Sequence, residues 1–177
     1  MFHFTKSQYE ALVSTARKHS EMHALMFETA FVHGFRVSEL LTLTRDNFNG
    51  EMLVVRRAKN GKTTAQTASK ELIAYSKTMP RGAKLFLLAN SDAHHSHRRA
   101  ADRLIKKYGT EAGLPAHLLH MHILRHSCAH AMLDGGAPLP AVQQRLGHRS
   151  GASTMMYLQV DDSTADKAFF AAIGRKQ

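Results

Sequence analysis

The chain has 177 residues, 44% of them hydrophobic, enough for one domain with a real core. No apolar run reaches the roughly 18 residues a membrane span needs, the first residues lack a signal peptide's apolar stretch, and the single cysteine, Cys128, excludes an internal disulfide. Lysine and arginine number 24 against 14 acidic residues, giving a net charge of +10, which argues against an ordinary small-molecule enzyme and for a nucleic-acid partner in the cytoplasm.

Thr5 or Ser7 caps a first helix carrying Tyr9, Leu12, Val13 and Ala16 at helical spacing and ending near His19. Ser20 caps a second, whose Met22, Leu25, Met26, Thr29 and Val32 form one buried stripe, with Gly34 as its C-terminal stop. A short helix from about Val37 carries Leu40 and Leu41. Arg36 therefore sits at a corner between helices, with Glu39 one turn further on as its local ion-pair candidate.

Met52 to Arg57 reads as a strand, Asn60-Gly61 as a hairpin signal and Thr63 to Thr67 as the returning strand, so Lys59 falls at the hairpin tip. Ser69 caps a helix through Leu72, Ile73, Tyr75 and Met79, which Pro80-Arg81-Gly82 ends. Leu85-Phe86-Leu87-Leu88 is short and fits an edge strand.

A helix from about Ser96 to Tyr108 buries Ala100, Ala101, Leu104, Ile105 and Tyr108. Its other face, with Arg99, Arg103, Lys106 and Lys107, is almost purely cationic and is read as a contact with DNA phosphates rather than a merely solvated surface. From Ile123 to Leu133 the pattern is helical again, with Leu124, Cys128, Ala131 and Met132 as the core stripe. His122 and Arg125 fall about 60° apart on one flank and can reach one point. Gly135-Gly136 breaks this helix, and Pro138 and Pro140 start another that carries Val142 and Leu146 and stops at Gly147. His148 is thus in a loop, Ser150 or Ser153 opens the segment presenting Tyr157, and Ser163 with Asp166 begins a last helix with Ala168, Phe169 and Ile173. The fold class expected is mainly α with a small antiparallel sheet.

Attack on a DNA phosphodiester builds negative charge on the nonbridging oxygens, and two arginine forks, Arg36 and Arg125, are suited to clamp them. The 5′ oxygen leaves only if protonated, a task for Lys59 on its hairpin, with Lys62 as the alternative. Tyr157 is the candidate nucleophile, with His122 as base and His148 as a hydrogen-bond donor to the phosphate. A phosphotyrosine ester retains the energy of the broken bond, so rejoining requires neither ATP nor metal, and no cofactor is expected. His122, His126 and His130 lie on successive helical turns, and His94, His95 and His97 cluster, but without His-Glu-x-x-His or a nearby Cys or carboxylate ligand a metal site is not expected.

These residues resemble the tyrosine recombinases, or phage integrase family, over nearly the whole chain. The family's Thr-Gly-x-Arg box with a following Ser-Glu-Leu run is matched by His33-Gly34-Phe35-Arg36-Val37-Ser38-Glu39-Leu40, except at His33. His-x-x-Arg-His is matched by His122 to His126, and Leu-Gly-His with a tyrosine nine residues on by Leu146, Gly147, His148 and Tyr157. The resemblance implies the tyrosine recombinase catalytic-domain fold and carries the catalytic roles to Arg36, Lys59, His122, Arg125, His148 and Tyr157.

It further implies a site-specific recombinase acting on double-stranded DNA as a tetramer on paired sites, with an accessory DNA-bending protein as a further partner. Residues 1–177 are expected to form one catalytic domain with no additional N-terminal DNA-closing domain, either as a compact protein or as part of a larger one. The look is closest to the short inverters of bacterial fimbrial genes. The stretch from about 160 to 177 is expected either to pass to a neighbouring protomer or to pack on its own domain. A catalytically silent DNA-binding regulator and a type IB topoisomerase-like enzyme are the competing readings.

Overall fold

The computed structural model describes residues 2–58, 61–88, 94–148 and Thr154, with backbone alone at 94–96. Lys59, Ser150, Ser153, Tyr157 and the C-terminal helix expected at Ser163 lie outside the described residues. The architecture is mainly helical with one small antiparallel sheet, as expected.

Helix α1 (Lys6–His19) starts with a reciprocal cap. The Gln8 amide donates to Thr5 Oγ1 at 3.2 Å, and the Thr5 amide to Gln8 Oε1 at 2.9 Å. Ser20 breaks the chain and caps α2 (Glu21–His33) through the His23 amide. Helix α2 is the central element and packs on α1, on the short α3 (Val37–Leu40) and on α6 (His122–Asp134). It buries Ala24, Leu25, Met26, Phe27, Thr29, Ala30 and His33, whereas Val32, expected in the stripe, is 41% exposed. Apolar residues surround this helix almost completely, so spacing alone does not select the inward face.

The sheet runs β1–β2–β3, with β1 (Phe48–Asn49) an addition to the expected hairpin. Strands β2 (Met52–Arg56) and β3 (Thr63–Thr67) pair antiparallel, Arg56 opposite Thr63 and Met52 opposite Thr67. Alternation sends Leu53, Val55, Thr64 and Gln66 inward. The strand stops one residue short of Arg57, whose side chain is buried.

Helix α4 (Lys70–Thr78) is capped by Ser69, whose Oγ accepts from the Leu72 amide at 3.1 Å. Residues 85–88 do not form the expected edge strand. The Leu85 amide donates to the Leu43 carbonyl at 2.8 Å, a single bridge joins Thr44 and Lys84, and Leu85, Phe86 and Leu88 fill the core while Leu87 points out. Their burial comes from irregular backbone crossing the core, which a four-residue apolar run does not distinguish from a strand.

Helix α5 (His94–Glu111) lies against α1 and buries Ala100, Ala101, Ile105 and Tyr108. Asp102 Oδ1 accepts from the Met121 amide at 2.9 Å, fixing the start of α6. In α6 the inward residues are Ile123, Leu124, Arg125, Ser127, Cys128 and Ala129; Ala131, expected in the core, is exposed and Met132 half-buried. Two polar residues, Arg125 and Ser127, take inward positions that an apolar stripe assigns elsewhere. Helix α7 (Leu139–Leu146) ends at Gly147 and packs Val142 and Leu146 on Cys128 and Ala129.

Candidate active site

Two glycines bring the three motif segments together. Gly34 closes α2 with φ +59°, and a Cβ there would come within 2.5 Å of Leu146 Cδ2 and 3.3 Å of Cys128 Sγ. Gly147 closes α7 with φ +66°, where a Cβ would meet Arg57 Cγ at 2.2 Å. Both combine a left-handed backbone with an approach that tolerates no side chain. The result is that the C-terminal ends of α2 and α7 converge on the middle of α6.

Arg125 fills the convergence. It is 1% exposed and donates to the carbonyls of Gly34 and Leu146, the latter at 3.0 Å, so one guanidinium caps two helix ends. Its Nη2 is 2.6 Å from Nε2 of His148. Arginine only donates, so Nε2 accepts and the His148 proton lies on Nδ1, which reaches Thr154 Oγ1 at 2.8 Å. Burial first, then the cations Arg125, Arg36 and Arg57, lower the His148 pKa to about 4. The ring is therefore neutral near pH 7. A donor role for Nε2 toward a phosphate requires it to gain a proton and the Arg125 Nη2 contact to open, which the charge of a phosphate favours.

Arg36 caps α3 from the neighbouring corner. Its amide donates to Glu39 Oε2 at 2.9 Å and its Nη1 to Oε1 at 3.0 Å, while its side chain stays 24% exposed. Glu39, almost fully buried, also accepts from Arg57 Nη1 at 3.1 Å and from the Ala58 amide at 2.8 Å. Its burial acts to raise the carboxyl pKa, but the Arg36 backbone bond, the Arg57 charge and the Ala58 amide together hold it below the ordinary value. Glu39 is thus an ionised anchor, and Arg36 does pair with it, its local ion-pair candidate.

His33, the departure from the family's first box, is 1% exposed and shares Gln66 with Arg145. Its Nδ1 lies 2.9 Å from Gln66 Oε1, which also accepts from Arg145 Nη1 at 2.7 Å, and Gln66 Nε2 donates to the Arg145 carbonyl at 2.8 Å. Desolvation lowers the His33 pKa to about 4, leaving a neutral ring that ties α2 to β3.

Arg36, Arg125 and His148 therefore share one corner, close enough that both arginines lower the His148 pKa. His122 opens α6 one turn before Arg125 and is exposed, its ring meeting His126 edge to face at 4.5 Å. Lys59 and Tyr157 lie outside the described residues; Ala58 and Lys62 flank the hairpin tip. Arg99, Arg103, Lys106 and Lys107 all stand exposed on α5. Among the described residues no group of three or more His, Cys, Asp or Glu side chains is placed to hold a metal ion, and no helix is long and apolar enough to cross a membrane. Sequence reasoning missed Arg57 and Thr154. The signal for Arg57 was a second basic residue at a strand end where alternation points it inward.

The phage integrase family profile matches residues 3–164, and the chain belongs to that family. Tyrosine recombinase XerD of Vibrio cholerae is 30% identical over 169 residues, covering 88% of this chain and 56% of XerD. The type 1 fimbriae regulatory protein FimB of Escherichia coli K12 is 26% identical over 164 residues, covering 86% of this chain and 82% of FimB. The fold is shared with the XerH site-specific recombinase, solved bound to its difH substrate, at a TM-score of 0.73 and 19% identity over 94% of this chain and 53% of XerH. The chain spans about half the length of the XerD relatives it matches, 56% and 47% in two of them.

Proposed function

We propose that this protein is a site-specific DNA recombinase, of integrase or invertase type, that cuts and rejoins double-stranded DNA through a 3′-phosphotyrosine intermediate. The observation that carries the reading is the convergence of Arg36, Arg125 and His148 on one corner, where, among the described residues, three guanidiniums counting Arg57 meet the one carboxylate of Glu39. Such a corner is preorganised for charge developing on a phosphate and need not reorganise during reaction.

In this reading Tyr157 Oη attacks phosphorus, and the bond to the 5′ oxygen breaks. The tyrosine proton passes to His122, and the leaving oxygen takes a proton from Lys59. Arg36, and Arg125 with His148, face the nonbridging oxygens. Attack by a 5′ hydroxyl on the phosphotyrosine reverses each transfer and restores the diester. Arg99, Arg103, Lys106 and Lys107 line a phosphate-contacting face. The working assembly is a tetramer on two paired sites, with residues from about 160 to 177 exchanged between protomers and an accessory DNA-bending protein assisting.

The test uses nicked suicide substrates from the DNA flanking the gene, in EDTA. A protein–DNA adduct that Tyr157→Phe abolishes while DNA binding persists is the expected result. An adduct that survives Tyr157→Phe removes the tyrosine assignment, and bound DNA without any wild-type adduct removes the recombinase reading.

A further inference from the structure

Arg57 belongs to none of the three motif boxes, yet its guanidinium is fully engaged inside the protein. Its side chain is 0% exposed. Nε donates to Thr64 Oγ1 at 2.9 Å, Nη1 to Glu39 Oε2 at 3.1 Å, and Nη2 to the carbonyls of His33, at 2.8 Å, and Arg145. The guanidinium carbon lies 4.3 Å from the centre of the Phe35 ring. One side chain at the end of β2 thereby joins β3, α3 and the C-terminal ends of α2 and α7.

Packing alone does not explain a charge here. A buried ion pair is often no more stabilising than apolar residues of the same volume, so a buried arginine calls for another reason. Electrostatics supply one. If Arg36 were paired alone with Glu39, the two charges would cancel and Arg36 would add no net charge to that of Arg125 at the corner. Arg57 Nη1 shares Oε2 with the Arg36 amide, Oε1 accepts from Arg36 Nη1 and the Ala58 amide, and the second guanidinium makes the trio a net cation. Contact with Gly147 and with the Arg145 carbonyl extends the same tie to the loop that carries His148.

We infer that Arg57 is a positioning residue for the phosphate clamp: through Glu39 it aims Arg36 and keeps that corner positively charged, and it holds the corner to the His148 loop. The inference rests on the recombinase reading above. It makes no contact between Arg57 and the DNA necessary.

The experiment compares single-turnover cleavage of two nicked suicide duplexes, one with an ordinary scissile diester and one in which a methyl group replaces a nonbridging oxygen. The methylphosphonate builds less negative charge and so depends less on the clamp. Arg57→Met should cleave the diester about 10²-fold more slowly than the wild type, and the methylphosphonate no more than about tenfold more slowly. Arg57→Lys, which keeps the charge and loses the fork, should fall between. An equal loss on both substrates assigns Arg57 a structural role only and overturns the inference, as does undiminished cleavage of the diester.

If Arg57→Met does not fold, Thr64→Val removes only the Nε bond and carries the same comparison. It should give a smaller loss that is again greater on the diester, and an equal loss overturns the inference. A wild-type protein that forms no adduct with the diester overturns the recombinase reading and this inference together. A wild-type adduct with a flat substrate ratio in the variants overturns the inference alone.

Discussion

Arg57 and Arg125 are 2% and 1% exposed and aim their donors at named carbonyls, a carboxylate and a ring nitrogen, whereas Arg99, Arg103, Lys106 and Lys107 stand exposed along α5. The two groups carry the same sign of charge under opposite conditions. Inside, water is excluded, screening is weak and each hydrogen bond fixes direction, so removing one cation breaks both geometry and field. On α5, water and salt screen every charge beyond about 8–10 Å, and direction matters little. The protein thus separates a corner whose charges are fixed in direction from a face whose charges are screened and free to turn.

The largest expected effect is at Arg125. Arg125→Ala should lower cleavage by at least ~10² through lost transition-state stabilisation. It also deprives the carbonyls of Gly34 and Leu146 of their shared donor. An unsatisfied buried acceptor costs about 1–3 kcal/mol, so the melting temperature should fall by several degrees, at about 2–4 °C per kcal/mol for a chain this size. Arg103→Ala on α5 should leave melting nearly unchanged. Equal melting temperatures for the two variants would erase the distinction between the regions.

The neutral histidines sharpen it next. His33 has a folded pKa of about 4 against about 6.5 unfolded. As pH falls below about 6.5 the unfolded chain binds the proton first, so the stability His33 contributes is whole above that pH and is lost progressively toward pH 4. Between pH 7 and pH 5 the loss from this one ring is about 2 kcal/mol, with His126 and His148 shifted the same way. Thermal unfolding across pH should show the decline, and His33→Asn, whose amide can still donate to Gln66, should make it shallower. A wild-type melting temperature that is flat from pH 7 to pH 5 would mean that His33 is not held neutral by burial.

Much of this was legible in the residues because capping and turn chemistry are local. Thr5, Ser20 and Ser69 mark helix starts, Gly34 and Gly147 mark ends, and the motif boxes follow those ends closely enough to place Arg36 and His148. What was illegible depends on partners distant in sequence. Arg125 reads as a flank residue until Gly34, 91 positions away, supplies its acceptor, and Arg57 reads only as the last residue of a strand until Arg145, 88 positions away, supplies another. Ala131 failed as a core residue because Arg125 and Ser127 find partners inside and take inward positions of α6, and Val32 because α2 is apolar nearly all round and spacing does not select its inward face.

The smallest expected effects are on α5, and they differ in kind from those at the buried corner. If its cations meet DNA phosphates, each neutralised phosphate releases condensed counterions, and the logarithm of the binding constant falls with the logarithm of salt with a slope of about −0.9 per contact. Arg99→Ala, Arg103→Ala, Lys106→Ala and Lys107→Ala should each make that slope shallower by up to about 0.9, and combinations should add, because screened and separated charges act independently. Cleavage of DNA already bound should keep its rate in every one of them. The measurement is duplex binding by anisotropy at several salt concentrations, paired with single-turnover cleavage at saturating protein. A variant whose binding weakens with an unchanged salt slope does not lose a phosphate contact. One whose bound-state cleavage slows would show that α5 reaches the reacting phosphate, and the two regions would then act as a single site.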